Sequence, residues 1–324
     1  MNRFCPPLWL KNRHIQSVLS SSPIRKTIAA RQAREMLKAS RSFILDCGDG
    51  VRLQGYYAAQ KQAGPGLCVL IHGWQGSSDS AYLVSAAGYL WDRGFSVFRL
   101  NLRDHGMTHH LNEGIFHSCR LNEVVGAVKQ IQQAFGHKRL FLGGFSLGGN
   151  FVLRVALKAP AAGIRIERVV AVCPVLSPHR TMEALEKGPR MYHAYFMRNW
   201  TASLETKYKI FPHLEELANV RRYKRSIRAL TAYFVERFTE FPDIDAYLNG
   251  YAITGDVLKP LRVPSLIIAS MDDPIIPAVD LANLASSPLL TTETSDSGGH
   301  CGFLENIRLH SRANSRMAEE FSKT

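Results

Sequence analysis

Long apolar runs are missing from this 324-residue sequence: the longest strongly apolar stretch is Leu67 to Ile71, far short of the roughly 20 residues a bilayer-spanning helix needs. The N-terminal segment MNRFCPPLWLKNRH lacks the apolar core of a secretory signal, so a cytoplasmic address is the expectation. Cysteine is scarce and scattered. Cys5, Cys47, Cys68, Cys119, Cys173 and Cys301 form no C-x-x-C pair, which argues against a zinc ribbon or a disulfide framework and for reduced thiols. No repeat or low-complexity tract is present, and the composition is that of a soluble globular protein. Acidic residues are the other shortage, 27 against 40 Lys plus Arg. The imbalance is local: residues 1–41 carry nine basic residues and one acid, Glu35. A solvated basic face is the ordinary expectation for such a segment. Weak association with an anionic membrane surface is the second, and no nucleic-acid signature accompanies it.

From residue 43 the elements follow a regular order. FILDC and VRLQGYYA flank Gly48-Asp49-Gly50 and predict a β-hairpin, since such a turn needs positive φ angles. The short apolar runs at 67–72, 95–102, 139–145, 168–173 and 265–270, mostly separated by helix-length segments, predict an α/β fold with a mostly parallel central sheet and flanking helices. Helices are expected near 80–93, 119–135, 147–159, 278–286 and 302–322. About 90 residues separate Cys173 from Ser265, and residues 180–250 hold 12 of the 31 aromatics, so a helical cap is expected there, before the acid-bearing strand. The domain reading is a basic leader over 1–42 packing on a core over 43–178 and 256–324, with a cap inserted over 179–255. Tyr192, Tyr195, Phe196 and Trp200 in the cap are candidates for a substrate pocket, although core packing explains such a stripe equally well. The run Arg221 to Arg225 reads as a solvated helix face.

The strongest chemical signal is Gly143-Gly144-Phe145-Ser146-Leu147-Gly148-Gly149, which holds G-x-S-x-G between an apolar strand and a helical segment. A strand turning sharply into a helix leaves no room for side chains beside the nucleophile, hence the glycines. A serine hydroxyl needs a base to take its proton and a carboxylate to orient that base. On this fold the chain order is serine, acid, histidine. The loop Met271-Asp272-Asp273-Pro274-Ile275-Ile276-Pro277 offers the acid; Asp273 is preferred because the common D-x-x-x-P form places it four residues before the proline, and Asp272 is the alternative. His300, in Gly298-Gly299-His300-Cys301-Gly302, is the candidate base, with Cys301 a packed neighbour and His310 placed in the following helix. The oxyanion donors expected are the backbone amides of Trp74, in His72-Gly73-Trp74-Gln75-Gly76, and of Leu147. His72 is read as ordering that loop. His105, His109, His110 and His117, with Asp104 or Glu113, raise a zinc question, but H-x-x-x-H presents two ligands together only on a helix and Gly106 marks a loop. Neither metal nor cofactor is assigned.

In order, FCPPLWLKNRHIQSVL, HGWQGSSDSAYL, GGFSLGGN, MDDPIIP and GGHCGF resemble the leader and the oxyanion, nucleophile, acid and base motifs of the YheT-like branch of the α/β-hydrolase superfamily. The resemblance spans nearly the whole chain. It departs at NLRDHGMTHH and IFHSCRLNEV, where the branch usually carries an N-x-R-G-C-type segment, a Tyr-His-Ser pattern and an aspartate; Glu123 stands near that acidic position. The resemblance implies a serine hydrolase, with esterase or lipid-acyl activity the usual expectation and a small-molecule acyl ester as substrate. Acyltransferase, thioesterase and aminopeptidase chemistry use the same triad, and a hydrolase-fold binding protein without catalysis is the remaining alternative.

Overall fold

The computed structural model describes residues 4–323; the first three residues of the basic leader and Thr324 lie outside them. The leader opens with a 3-10 turn at Leu8–Leu10 and then forms α1 (Arg13–Ser20), α2 (Pro23–Gln32) and α3 (Arg34–Ala39). Asn12 caps α1 by accepting from the amides of His14 and Ile15, and Ser22 with Pro23 starts α2, two ordinary helix-opening devices.

Eight strands follow: β1 (Ser40–Asp46), β2 (Arg52–Ala58), β3 (Leu67–Ile71), β4 (Ser96–Leu100), β5 (Leu140–Phe145), β6 (Arg168–Val172), β7 (Ser265–Ser270) and β8 (Leu290–Ser295). They form one sheet in the order β1-β2-β4-β3-β5-β6-β7-β8. The β1–β2 and β2–β4 pairs are antiparallel, and every other pair is parallel. Gly48, Asp49 and Gly50 all have positive φ at the β1–β2 turn, as the hairpin requires. β1 begins at Ser40, inside the stretch read as leader. Every residue of β3, β5 and β7 is buried, the pattern of strands covered on both faces.

Strand alternation divides the core into two layers. Leu67, Val69 and Ile71 point to a cluster with α5 (Leu121–Phe135), α6 (Leu147–Ala162) and the helices after β6. Cys68 and Leu70 point to the opposite face, covered by α2, α3, α4 (Ala81–Trp91) and the C-terminal helix. Between β6 and β7 the chain forms α7 (Pro178–Lys187), α8 (Arg190–Ile210), a 3-10 stretch (Glu215–Tyr223), α9 (Ile227–Phe238) and α10 (Ile244–Asn249). Arg221, in the 3-10 stretch, is exposed and ion-paired with Glu205 of α8.

Two helix expectations are corrected. Residues 278–283 form a short 3-10 stretch, and the final helix, α11, spans only Arg312–Phe321. His310 therefore precedes that helix. The loop from Gly302 to Ser311 is turned by Phe303 and Leu309, both at positive φ, and closed by a Leu304–Ser311 bridge. These local conformations override the helical periodicity read from residues 302–311. Among the described residues no helix is long and apolar enough to cross a membrane.

Candidate active site

β3, β4, β5, β6 and β7 release their loops at one edge of the sheet, the carboxyl edge at which open α/β sheets bind ligands. Ser146 follows β5 directly and precedes the first turn of α6, with φ 53° and ψ −119°. Glycine is obligatory around it. A Cβ on Gly144 would lie 2.2 Å from the Gly148 carbonyl oxygen, and one on Gly148 would lie 2.3 Å from the Ile71 carbonyl oxygen. The sharp turn is pinned by a 2.9 Å bond from the Ser146 amide to the Val172 carbonyl. Gln75, Asp104, Cys173 and Cys301, on four other loops of this edge, also have positive φ, so strained backbone is concentrated here.

His300 Nδ1 and Asp273 Oδ2 are 2.8 Å apart, with the carboxylate almost fully buried. Asp273 Oδ1 accepts from the Ile275 and Ile276 amides at 2.8 and 3.0 Å, which fixes the carboxylate's direction. Asp272 turns elsewhere: its Oδ1 accepts from the Gly299 amide at 2.9 Å and from Ser270 Oγ. The two neighbouring acids thus have separate partners, one the imidazole and the other the loop that carries it. Burial opposes charge on the His300 ring, yet Asp273 and the neighbouring Cys301 outweigh it and hold the pKa well above the ordinary histidine value. Ser146 and His300 line one cleft of about 750 Å³. Ser146 Oγ has no hydrogen-bonded partner among the described residues, a common state for a nucleophile without substrate.

Among the described residues the Trp74 and Leu147 amides have no acceptor, whereas the amides flanking Trp74 do. Gly73 N–H donates to Tyr82 Oη at 3.0 Å and Gln75 N–H to His105 Nε2 at 3.2 Å. His105 Nδ1 donates to the Arg103 carbonyl, so its tautomer leaves Nε2 as the acceptor. His72 repeats the arrangement, with Nδ1 on the Gly73 carbonyl and Nε2 accepting from Leu102 N–H. Burial, with His72 adding to it for His105, pushes these pKa values down to about 4 for His72 and about 3 for His105. Both rings therefore hold the 72–76 loop as neutral imidazoles.

The histidines of the loop after β4 turn to different partners: His105 to Gln75, His109 to Ser203 Oγ at 2.8 Å, and His117 to Glu240 at 3.8 Å. Asp104 forms a buried 2.8 Å pair with Lys207 of α8, fastening that loop beneath the helix. Glu123 pairs with Arg103, also buried, at 2.6 Å. The described residues bring three metal-capable groups together elsewhere: Cys173, His300 and Cys301 offer ligand atoms within 4.8 Å of one another. That soft, cysteine-rich set matches no hard-cation site.

All four aromatics singled out in the cap lie on α8 and reach the site. Tyr192, Tyr195 and Phe196 line the large cleft. Phe196 and Trp200 also border a second, inner cavity of about 90 Å³ that shares Trp74 and Ser146 with the cleft. The Trp74 and Phe196 rings stack between them, centroids 5.2 Å apart and planes 9° apart.

The leader contributes residues that sequence reasoning missed. Ser17 Oγ accepts from the His300 amide at 2.8 Å. Gln16, fully buried, donates from Nε2 to the Leu10 and Leu304 carbonyls and accepts at Oε1 from Leu304 N–H. Gly299 and Gly302 admit this contact, since a Cβ on either would collide with Arg13, Gln16 or Ser17. The signal available was the leader motif itself, whose Gln16 has no local role in a basic helix.

A family model described as alpha/beta hydrolase fold matches residues 67–307. The chain belongs to that family. Within it the hydrolase is YheT-like: it is 27% identical over 260 residues to YheT of Escherichia coli (strain K12), named there as a candidate esterase, covering 78% of this chain and 74% of that protein. Among solved structures it is similar to the Pyrococcus furiosus esterase Pf2001, at a TM-score of 0.55 and 15% identity over 88% of this chain and 90% of that one. It is also similar to carboxylesterase CesB of Bacillus subtilis, at 0.51 and 16% over 92% and 99%. These two likenesses concern the fold. It is the YheT relation, within the matched family, that makes the chain an esterase-like hydrolase.

Proposed function

We propose that this hydrolase cleaves carboxylic esters through an acyl-enzyme on Ser146. The observation that carries the reading is the buried 2.8 Å contact of His300 with Asp273 beside a serine held on a strained turn and facing the same cleft. Ser146 Oγ attacks the ester carbonyl while His300 Nε2 takes its proton. Asp273 holds Nδ1–H and stabilises the imidazolium that forms. The free Trp74 and Leu147 amides receive the oxyanion, a contribution worth about two to three orders of magnitude in rate for each donor. The proton on His300 then goes to the leaving alcohol, and water repeats the sequence to release the acid. The inner cavity, bordered by Leu147, Val175, Met182, Trp200 and Phe234, suits a small apolar group. The open cleft suits the larger remainder of the ester.

Intact-mass analysis after exposure to a small fluorophosphonate tests the reading. A single adduct on the native chain that vanishes in Ser146→Ala is the expected result. A folded native chain that takes no adduct and hydrolyses no acyl ester would overturn it.

A further inference from the structure

Large apolar side chains are exposed at the mouth of the cleft, and they come from three separate segments. Val18 of α1 is 44% exposed, Met107 of the loop after β4 80%, and Met191 and Tyr195 of α8 48% and 45%; all four line the cleft. Ile15 stands one turn before Val18 on α1 and is exposed too, so this short helix turns part of its apolar side outward. On α2, exposed Ile24 sits between Pro23 and Lys26, both of which line the cleft. Scattered exposed apolar residues are ordinary, but a group rimming one cavity marks a contact surface.

Charge selects what that surface meets. Lys11, Arg13, Lys26 and Arg31 of the leader, before and along α1 and α2, are exposed with no acid among them, whereas Arg34, Lys38 and Arg41 belong to α3 and to β1, which starts at the opposite edge of the sheet, and the first two share Glu35. The eighth basic residue described there does not count, because Arg25 is buried and donates to the Ser20 carbonyl. A protein partner able to cover the rim would need both an apolar patch and a strongly acidic one. An anionic bilayer supplies both at once, apolar depth at the acyl boundary and negative headgroups around it.

We propose that the leader and the cleft rim form a docking face for an anionic membrane surface, so that the esters hydrolysed are amphiphiles presented in that surface. The proposal rests on the serine-hydrolase reading for the fate of the ester but not for the docking. Val18, Met107, Met191 and Tyr195 enter the headgroup boundary, and the exposed cations of residues 11–31 hold the phosphates beside them. The cleft then opens onto the membrane, and an ester reaches Ser146 without crossing bulk water.

Co-sedimentation of the full chain with vesicles tests the docking separately from catalysis. Vesicles of phosphatidylcholine with phosphatidylserine should carry the chain down at low ionic strength, and neutral phosphatidylcholine vesicles should not. Removing one exposed cation, as in Lys11→Ser or Arg31→Ser, should lower the partition coefficient about fivefold. Ile24→Ser should lower it about tenfold. Added salt should weaken binding, and Ser146→Ala should bind like the native chain. Hydrolysis of a short water-soluble ester should be unchanged in Lys11→Ser, Arg31→Ser and Ile24→Ser, which also establishes that they fold. Binding that ignores vesicle charge, or that survives all three substitutions, overturns the proposal, as does a stable dimer that does not sediment with vesicles. Selective sedimentation with no esterase activity would sink the serine-hydrolase reading and leave the docking face standing.

Discussion

Asp273 and Asp272 are chemically identical neighbours separated by what each one faces. Only Asp273 reaches the imidazole, and its carboxylate raises the His300 pKa against the effect of burial. A general base works only when neutral, so turnover should rise with pH through the His300 ionisation, at an inflection above the ordinary histidine value. Asp273→Asn removes the charge that raises it. In pH–rate profiles of kcat/KM the inflection should move down, and kcat should fall about three to four orders of magnitude. Asp272→Asn keeps the imidazole's partner and should change the rate far less. Equal losses in the two variants would refute the assignment of roles. The Ser146, Asp273 and His300 positions were all legible in the sequence, because each sits in a short glycine- or proline-marked loop. The choice between the aspartates rested on one spacing alone, that of Asp273 to Pro277 in the common D-x-x-x-P form.

Helix α1 is an element that works at a distance from its own sequence. Its Gln16 and Ser17 grip the histidine loop across nearly 290 residues of chain, while its outward side remains apolar and basic. Ser17→Ala removes the acceptor of the His300 amide, and Gln16→Leu leaves buried carbonyl and amide groups unpaired at about 1–3 kcal/mol each. Both should lower kcat about tenfold with KM little changed, because a slightly misplaced base affects the chemical step and not ground-state binding. A fall in thermal stability with kcat intact would show that α1 only supports the fold. The sequence marked 1–42 as a basic leader packing on the core, without saying where it packs. It concealed the grip because hydrogen bonds between distant segments leave no periodicity. Local pattern failed in the opposite sense at 302–311, where residues of helical spacing are held in a loop by positive φ at Phe303 and Leu309.

At the scale of the whole molecule, neutral buried histidines couple folding to pH. His72 and His105 titrate at about 4 and about 3 in the fold, below the 6.5 of the free side chain. Below pH 6.5 the unfolded chain takes up protons that the folded chain refuses, so stability falls as pH falls towards those lower values. Each ring contributes up to about 1.4 kcal/mol per pH unit across that window. Urea titrations between pH 7 and pH 4 should show this loss, and His105→Gln should flatten the slope by about one proton. An unchanged slope would mean that the ring is not held neutral. Because His105 bonds to Gln75 and His72 to Gly73, the same acidification should loosen the 73–76 loop, with the Trp74 amide proposed for the oxyanion, before global unfolding.

By itself the sequence determined the α/β order, the buried parallel strands, the strained serine turn and the loops that carry the candidate acid and base, since each depends on local chain chemistry: apolar runs, glycine spacing and turn residues. Only the tertiary structure decided which aspartate meets His300, that His105 holds Gln75, that Trp74 and Phe196 divide two cavities, and that α1 braces the histidine loop. Those are contacts between segments far apart in the chain. They are set by how the packed layers bring loops to one edge of the sheet, and no window of neighbouring residues encodes that distance.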